Sequence, residues 1–385
     1  MASFDVGMKV YDNDWFLKYE LSYQDAAKIL KDWGVTFILA QSRYLPISDT
    51  AVKSEVPPEL ANRFASYDDR LLRAALAEEG IEYWAAATMF FDPPALAADP
   101  GLRAVGNDGK PMEKIDWYEA IPPSMQTHVD RKIDAIKKAV AALQPDGLFL
   151  AFMRWPNFWE LWMPTSSRYD FPEYSFDTQT LQRFSRETGI SLPSYYPVEA
   201  ARWIEANARQ AWTNWKCSVV ESVIRQVKQS GESIHPGLRV MLNTVPFGGD
   251  EYDNAEEKVF GQRFESLADV VDAFEVMTYH QILKRPVDWI PQIGKEVKSR
   301  SGRKTFCTLQ AAPLYIDGMH AKENRSRTLE VEEFEQAIDA VEAAQEIDGV
   351  VVFLWSDFLH QVYHLRDTRR IDILKGAIER RQSRG

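Results

Sequence analysis

The chain has 385 residues, with 45 Lys+Arg against 57 Asp+Glu and a formal net charge of −12. Hydrophobic residues make up 45% and charged residues 26%, which excludes intrinsic disorder for most of the chain and is typical of a globular protein with a large core. The acidic balance argues against a nucleic-acid partner, because neutralising phosphates needs a basic surface. Aromatic residues reach 12%, and such rings serve both as core filler and as stacking platforms in sugar-binding clefts.

Short apolar, β-branched runs alternate with amphipathic helical stretches in chain order. The predicted strands are DVGMKVY, VTFILAQS, IEYWAAATMFF, GLFLAFMRW, LRVMLNTV, AFEVMTYH, KTFCTLQAAPLY and GVVVFLWSDF. The longer predicted helices span residues 23–33, 68–80, 129–143, 177–188, 198–229 and 371–381. A polar stretch over 92–123 makes the third loop long, and an aromatic segment does the same for the fourth.

Eight strand–helix units without a linker predict a (β/α)8 TIM barrel, an α/β fold, as a single domain over residues 1–385. The competing fold, a doubly wound sheet, would favour a Gly-rich phosphate turn after a strand. The chain contains neither GxGxxG nor GxxxxGK[ST]. We therefore predict the barrel and expect no cofactor.

The sequence carries no sign of a disulfide framework or of a membrane span. Its two cysteines, Cys217 and Cys307, form no CxxC pair or zinc pattern, so we expect buried free thiols. The N-terminus has no basic stretch followed by an apolar core, and no segment approaches about 18 uninterrupted apolar residues. We expect a soluble, cytoplasmic protein that binds no membrane, and the sequence leaves its oligomeric state open.

In a barrel of this type the functional site lies at the carboxyl ends of the strands and in the loops that follow. Carboxylates, amides, aromatic rings and two arginines follow the predicted strand ends, an inventory typical of a site for a polyhydroxylated ligand. No set of His, Asp and Glu has the spacing of metal ligands, so no metal is expected. The predicted substrate-binding residues are Asp12, Arg43, Arg154, Trp155, Asn157, Asn243, Glu275, Tyr279, His280, Gln310, Trp355 and Asp357.

Three residues are candidates for catalysis: Asp14, His128 and Glu160. Asp14 follows the first strand, and its alternative role is to cap the next segment. Glu160 lies in MRWPNFWELW, whose four aromatic positions are costly to expose without a purpose. Its alternative is a salt bridge in a loop folded over the barrel mouth. His128 begins a helix after the third loop, where its alternative role is that of a solvent-facing residue. Glu275 stands in an apolar strand, so it either points into the barrel or pairs with an arginine.

The runs DGLFLAFMRWP, FDTQTLQRFSRETGISLP and FEVMTYHQILKRPVDWI, with NDGKP ahead of IPPS, resemble the glycoside-hydrolase-like barrel families over most of the chain. MTYH is also similar to the sixth strand of chitinase-type barrels, but their acidic DxxDxDxE pattern is absent at the fourth strand. Ala151 stands where many glycoside-hydrolase-like barrels have an Asp. As a set, the residues further resemble the inverting sialidases of glycoside hydrolase family 156.

The second resemblance implies Asp14 as the base and His128 as the acid. In another register Met125 occupies the acid position, so that the acid is either missing or supplied by Glu160. Arg43 and Arg154 would bind the carboxylate of a sialic or other ulosonic acid. We therefore predict an inverting glycoside hydrolase whose substrate is a carbohydrate with an acidic sugar. The alternative, which Ala151 favours, is a catalytically inert carbohydrate-binding barrel.

Overall fold

The computed structural model describes residues 4–46, 60–311 and 329–384. Short strands alternate with helices in this part of the chain, as the apolar runs predict. The strands are β1 (Asp5–Val10), β2 (Phe37–Ala40), β3 (Glu82–Thr88), β4 (Gly147–Ala151), β5 (Arg239–Thr244), β6 (Ala273–Val276), β7 (Lys304–Gln310) and β8 (Gly349–Phe353).

The strands pair in parallel and in chain order, and β8 pairs with β1 to close the barrel. At the closing seam Gly7 is opposite Val351 and Met8 is opposite Val352. This closed parallel sheet, with helices around it, confirms the predicted (β/α)8 TIM barrel.

The helices surround the sheet and occupy the connections between its strands. They are α1 (Asp14–Leu17), α2 (Tyr23–Asp32), α3 (Ala61–Ser66), α4 (Asp69–Glu78), α5 (Pro93–Ala98), α6 (Gln126–Leu143), α7 (Thr178–Thr188), α8 (Pro197–Asn207), α9 (Arg209–Glu232), α10 (Ala255–Lys258), α11 (Phe264–Leu267), α12 (Trp289–Ser301), α13 (Val331–Ala343), α14 (Trp355–His360) and α15 (Arg369–Arg384). No helix among the described residues is long and apolar enough to cross a membrane.

Several predicted strands, including the sixth, are shorter in the structure, and two further differences change the elements themselves. The single helix predicted over 198–229 is two helices, because Ala208 leaves the helical region with φ −141° and ψ 19°. The eighth strand ends at Phe353, and the polar residues predicted at its end belong to α14 instead. Asp357 therefore lies in the first turn of a helix.

Aromatic rings fill the interior of the barrel. Phe37, Trp84, Phe149 and Phe306 belong to one buried cluster inside the sheet. Gly147 makes room for the ring of Trp84, since a Cβ at this position would lie 2.2 Å from it. These rings fill the barrel beneath the carboxyl ends of its strands, the end at which barrels of this type carry their sites.

A buried charge network fastens the long loop after β4 to α9. Glu173 accepts hydrogen bonds from Arg209 at 2.7 Å and from Lys216 at 3.1 Å, and Arg168 bonds to it at 3.1 Å. Burial alone would raise the pKa of Glu173, but Lys216, Arg209 and Arg168 outweigh it and lower that pKa from its ordinary 4.5 to about 2. The network stabilises the loop as long as this carboxylate is charged.

Replacing Glu173 by Gln should destabilise the protein by about 3–5 kcal/mol at pH 7, because three cations lose their buried partner. Because the pKa of Glu173 is lower in the folded state, its carboxylate stabilises the fold fully at pH values above its ordinary pKa. This contribution is lost as the pH falls towards 2. The difference between wild type and variant should therefore be largest above pH 5 and smaller at pH 3. Urea unfolding at pH 7, 5 and 3 measures it.

Glu205→Gln is the matched control, since this carboxylate also pairs with Arg168 and Arg209 but its side chain is 48% exposed. It should cost less than about 1 kcal/mol. A destabilisation by Glu173→Gln that does not change with pH would contradict the role given to the charge.

Candidate active site

The polar residues that follow the strands meet at one end of the barrel. Because all eight strands are parallel, their carboxyl ends form one rim. The predicted site residues on this rim or directly beyond it are Asp12, Asp14, Arg154, Glu160, Tyr279, His280 and Asp357. We take this rim as the candidate active site.

A buried ion pair forms the floor beneath the rim. Lys9 of β1 lies 2.9 Å from Glu275 of β6, with the two side chains 3% and 0% exposed. Lys9 also donates a hydrogen bond to the hydroxyl of Tyr279 at 3.2 Å, and Asn243 donates one to Glu275. Glu275 thus points into the barrel, and its cationic partner is a lysine rather than the arginine considered from the sequence.

Aromatic rings surround the ammonium group of Lys9. It lies 5.3 to 5.8 Å from the ring centroids of Phe149, Phe353, Tyr11 and Tyr279, within cation–π range. Sequence reasoning missed this residue. The available signal was a lysine in an apolar strand, matched by Glu275 in another.

Three aspartates gather where β1 and β8 end. Asp12 accepts a hydrogen bond from the backbone N–H of Asp14 at 3.0 Å and another from the hydroxyl of Ser356 at 2.7 Å. It therefore connects the start of α1, which carries Asp14, to the helix that carries Asp357. Asp14 itself pairs with Lys18 at 2.7 Å, and its side chain remains 29% exposed.

Burial changes the pKa of two of these aspartates, Asp12 and Asp357. Burial raises the pKa of Asp12, against the hydrogen bond from Ser356, which lowers it. Burial and then the negative charge of Asp12 raise the pKa of Asp357 from 3.8 to about 6. Asp357 is therefore partly protonated near neutral pH, the state that a proton donor needs.

Arg154, which follows β4, is a buried cation without a partner among the described residues. Its side chain is 3% exposed, its Nε and Nη1 have no hydrogen-bond acceptor, and no carboxylate of the described chain lies within ion-pair distance. Its guanidinium group lies 5.2 Å from the ring centroid of Phe152. Burying a charge in this way is costly, so an unpaired guanidinium indicates a place for an anionic group.

A wall of half-buried rings stands beside Arg154. Phe152 stacks on Phe91 with centroids 5.0 Å apart, and Trp117 meets both edge-on at 5.5 and 5.9 Å. Phe152 adopts a left-handed backbone with φ 55°, a strained conformation that is frequent at functional sites. Sequence reasoning placed neither Phe91 nor Trp117 in the site.

The tryptophans predicted at the rim pack inward instead. Trp155 and Trp355 are fully buried. Trp155 packs against Trp215 of α9 and donates its ring N–H to the carbonyl of Lys216, while Trp355 packs against Trp15. Both tryptophans are thus buried in the way of core residues. The rings near the rim that remain accessible are those of Phe91, Trp117 and Phe152.

Glu160 lies in a 3₁₀ turn after β4 and is buried. Burial raises the pKa of Tyr118 to about 12, a shift that Arg154 opposes and Glu160 reinforces, so both charges act on this ring. His128 lies on α6, buried, with Nε2 2.8 Å from the carbonyl oxygen of Met89. Burial lowers the pKa of His128, which keeps the imidazole neutral.

Most of the remaining predicted residues have structural partners. Asn157 bonds to the carbonyl of Pro172 and to the ring N–H of Trp162. The guanidinium of Arg43 donates to the backbone carbonyls of Phe64 and Tyr67 beside α3. His280 lies 2.8 Å from Glu333 of α13, and Gln310 is buried at the end of β7. No group of three or more potential metal ligands occurs among the described residues.

Comparison with solved structures finds barrels of the same architecture. The glycoside hydrolase domain of PgaB (BpsB) from Bordetella bronchiseptica superimposes with a TM-score of 0.66 at 15% identity, covering 95% of this chain and 98% of that one. The GH42 β-galactosidase Gan42B from G. stearothermophilus gives 0.60 at 10% identity, covering 99% of this chain and 57% of that one. The α-L-fucosidase isoenzyme 2 from Paenibacillus thiaminolyticus gives 0.57 at 12%, covering 99% and 49%.

At these identities the likeness shows a shared fold. The chain spans about half the length of the galactosidase and of the fucosidase, and nearly the whole length of the PgaB domain. Protein-family models and curated proteins give no match to this sequence.

Replacing Asp12 by Asn should lower the pKa of Asp357 below its wild-type value near 6, because the like charge disappears. Burial remains, so the pKa should stay above the ordinary 3.8. A pH titration of the aspartate carboxyl carbons by NMR measures this shift. Asp68→Asn at the start of α4 is the control and should leave Asp357 unchanged. An identical titration of Asp357 in Asp12→Asn would show that burial alone raises its pKa.

Proposed function

We propose that this protein is a glycoside hydrolase that cleaves the bond to an acidic sugar by an inverting acid/base mechanism. The proposal rests on two features of the same barrel rim. Arg154 has a buried guanidinium without a partner among the described residues, and Asp12, Asp14 and Asp357 differ in burial and in their contacts. The stacked rings beside Arg154 add an apolar platform that suits the C–H face of a pyranose.

Asp357 is the proposed proton donor. Its raised pKa lets the protonated carboxyl group transfer its hydrogen to the glycosidic oxygen as the bond to the anomeric carbon breaks. Once the proton has left, the leaving group departs as an alcohol. This role was not among those predicted for Asp357, because the sequence did not reveal how deeply this residue is buried.

Asp14 is the proposed base, as the sequence and the family resemblance predict. Its carboxylate pairs with Lys18 and keeps part of its surface open to solvent, so a water can bind there. It takes a proton from this water while the water oxygen attacks the anomeric carbon, which inverts the configuration. Asp12 bonds to the segments that carry both groups and is the proposed positioning residue.

Arg154 is the proposed recognition residue for the sugar carboxylate. A guanidinium binds a carboxylate through charge-assisted hydrogen bonds, and the two nitrogen atoms of Arg154 without an acceptor leave donors for them. The solved structures of similar fold that are named glycoside hydrolases support the reaction class, and the resemblance to family 156 supports the sugar.

A screen of aryl glycosides, including sialosides, followed by Asp14→Asn and Asp357→Asn tests the mechanism. On an alkyl glycoside, whose leaving group needs a proton, each variant should lower kcat by about 10²–10⁴-fold, the usual contribution of acid or base catalysis. Because Asp357 must be protonated, kcat/KM of the wild type should fall as the pH rises above about 6. Proton NMR of the first product should show the inverted anomer.

Asp68→Asn is the control for the loss of a single carboxylate and should retain full activity. Wild-type turnover in both catalytic variants would refute the assignment. Sugar binding without turnover by the wild type would favour the inert carbohydrate-binding barrel.

Arg154→Met should raise KM about 10–100-fold for a glycoside with a free carboxylate, because a charge-assisted contact worth about 1.5–3 kcal/mol is lost. The methyl ester of the same glycoside should lose much less. Unfolding experiments should show no loss of stability, since the substitution removes an unpaired buried charge.

Arg43→Met is the matched control, because its guanidinium is bonded to backbone carbonyls away from Arg154. It should leave KM for both substrates unchanged. Equal losses for acid and ester in Arg154→Met would refute carboxylate recognition by this residue.

A further inference from the structure

An exposed aromatic surface continues from the aspartates along the rim. We call it the rim shelf and define it by Tyr19, His360, Tyr363, His364 and Leu365. Tyr363 is 37% exposed and Leu365 62%, whereas most large apolar side chains of the described chain are buried. Tyr19 lies 5.5 Å from Tyr363 and 5.6 Å from His364, measured between ring centroids, so the rings adjoin.

A helical turn and buried hydrogen bonds hold the rim shelf in place. Residues 361–365 form a π-helical turn that continues α14, and such turns are frequent at functional sites. Gln361 points inward, donating to the carbonyl of Ala311 at 3.2 Å and accepting from Arg370 at 3.0 Å. The opposite side of the turn is thereby presented to solvent.

The rim shelf is continuous with the proposed acid and base. Asp357 lies on the helix that runs directly into the shelf, three residues before His360. Tyr19 follows Asp14 by five residues, and burial, then the charges of Asp14, Asp12 and Asp357, raise its pKa. The rim shelf is therefore adjacent to the three aspartates.

We propose that the rim shelf is the subsite for the first sugar ring of the leaving group. The inference rests on the proposed function, because a proton donor must lie next to the glycosidic oxygen, and the leaving group begins at that oxygen. With Asp357 as the donor, the next ring lies along the continuation of its helix. Tyr19 and Tyr363 offer faces for stacking, and the imidazoles of His360 and His364 bond to hydroxyl groups.

The substrate class follows from this placement. The enzyme would act on an acidic sugar attached to at least one further sugar, rather than on a free monosaccharide derivative with a small leaving group. Two substrates with the same sialic acid separate these cases: the methyl glycoside, which leaves the shelf empty, and sialyllactose, which fills it.

The double variant Tyr363→Ala/Leu365→Ser tests the proposal through the ratio of kcat/KM for sialyllactose to kcat/KM for the methyl glycoside. This ratio should fall about three- to tenfold, as expected for the loss of one stacked ring. Tyr196→Ala/Leu71→Ser removes the same two residue types from other exposed positions, which are 64% and 52% exposed, and should leave the ratio unchanged.

An unchanged ratio in an active Tyr363→Ala/Leu365→Ser variant would overturn the subsite and leave the hydrolase proposal standing. If the wild type cleaves neither substrate, the hydrolase proposal fails, and the ratio of dissociation constants measured by calorimetry replaces the kinetic ratio. A selective loss of sialyllactose affinity then supports the subsite, and equal affinities overturn it. Conversion of a dimer to a monomer by the variant, with an unchanged ratio, would assign the shelf to a contact between copies instead.

Discussion

Pairing of β8 with β1 closes the barrel, and the acidic part of the candidate site depends on that closure. Asp12 and Ser356 are 344 residues apart in the chain, yet the seam brings their side chains within 2.7 Å. The same seam brings Asp357 near Asp12, and burial followed by the charge of Asp12 raises the pKa of Asp357 to about 6. Without closure these aspartates would be separate, solvated side chains. The proposed chemistry is therefore a property of the closed sheet.

Two of the buried cations, Lys9 and Arg154, lie in contrasting environments. Lys9 has an anionic partner, a hydroxyl acceptor and four aromatic rings, so its burial is compensated by local contacts. Arg154 has a ring beneath it, while two of its nitrogen atoms lack acceptors. A folded protein tolerates the second arrangement at a cost in stability, and such costs concentrate at functional sites. Lys9 therefore belongs to the base of the site, whereas Arg154 is the residue that we propose binds the ligand.

The aromatic residues divide in a similar way. The tryptophans beyond β4 and β8 are buried between the sheet and its helices, where they stabilise the long loops. Half-buried phenylalanines and Trp117 line the rim near Arg154, and exposed tyrosine rings extend it beyond the aspartates. The high aromatic content thus serves packing first, and a smaller set of rings is available to a ligand.

The amino-acid sequence by itself determined the barrel, because apolar periodicity is local and eight strand–helix units have few ways to bury their faces. It also determined that Asp12, Asp14, Arg154 and Asp357 would share one rim, since parallel strands end on the same side. Tertiary structure alone decided the pairing of Lys9 with Glu275, the burial of Trp155 and the raised pKa of Asp357. These features arise from contacts between distant strands and from exclusion of water, neither of which a local pattern records. For the same reason the sequence did not reveal that His128 is buried against a backbone carbonyl.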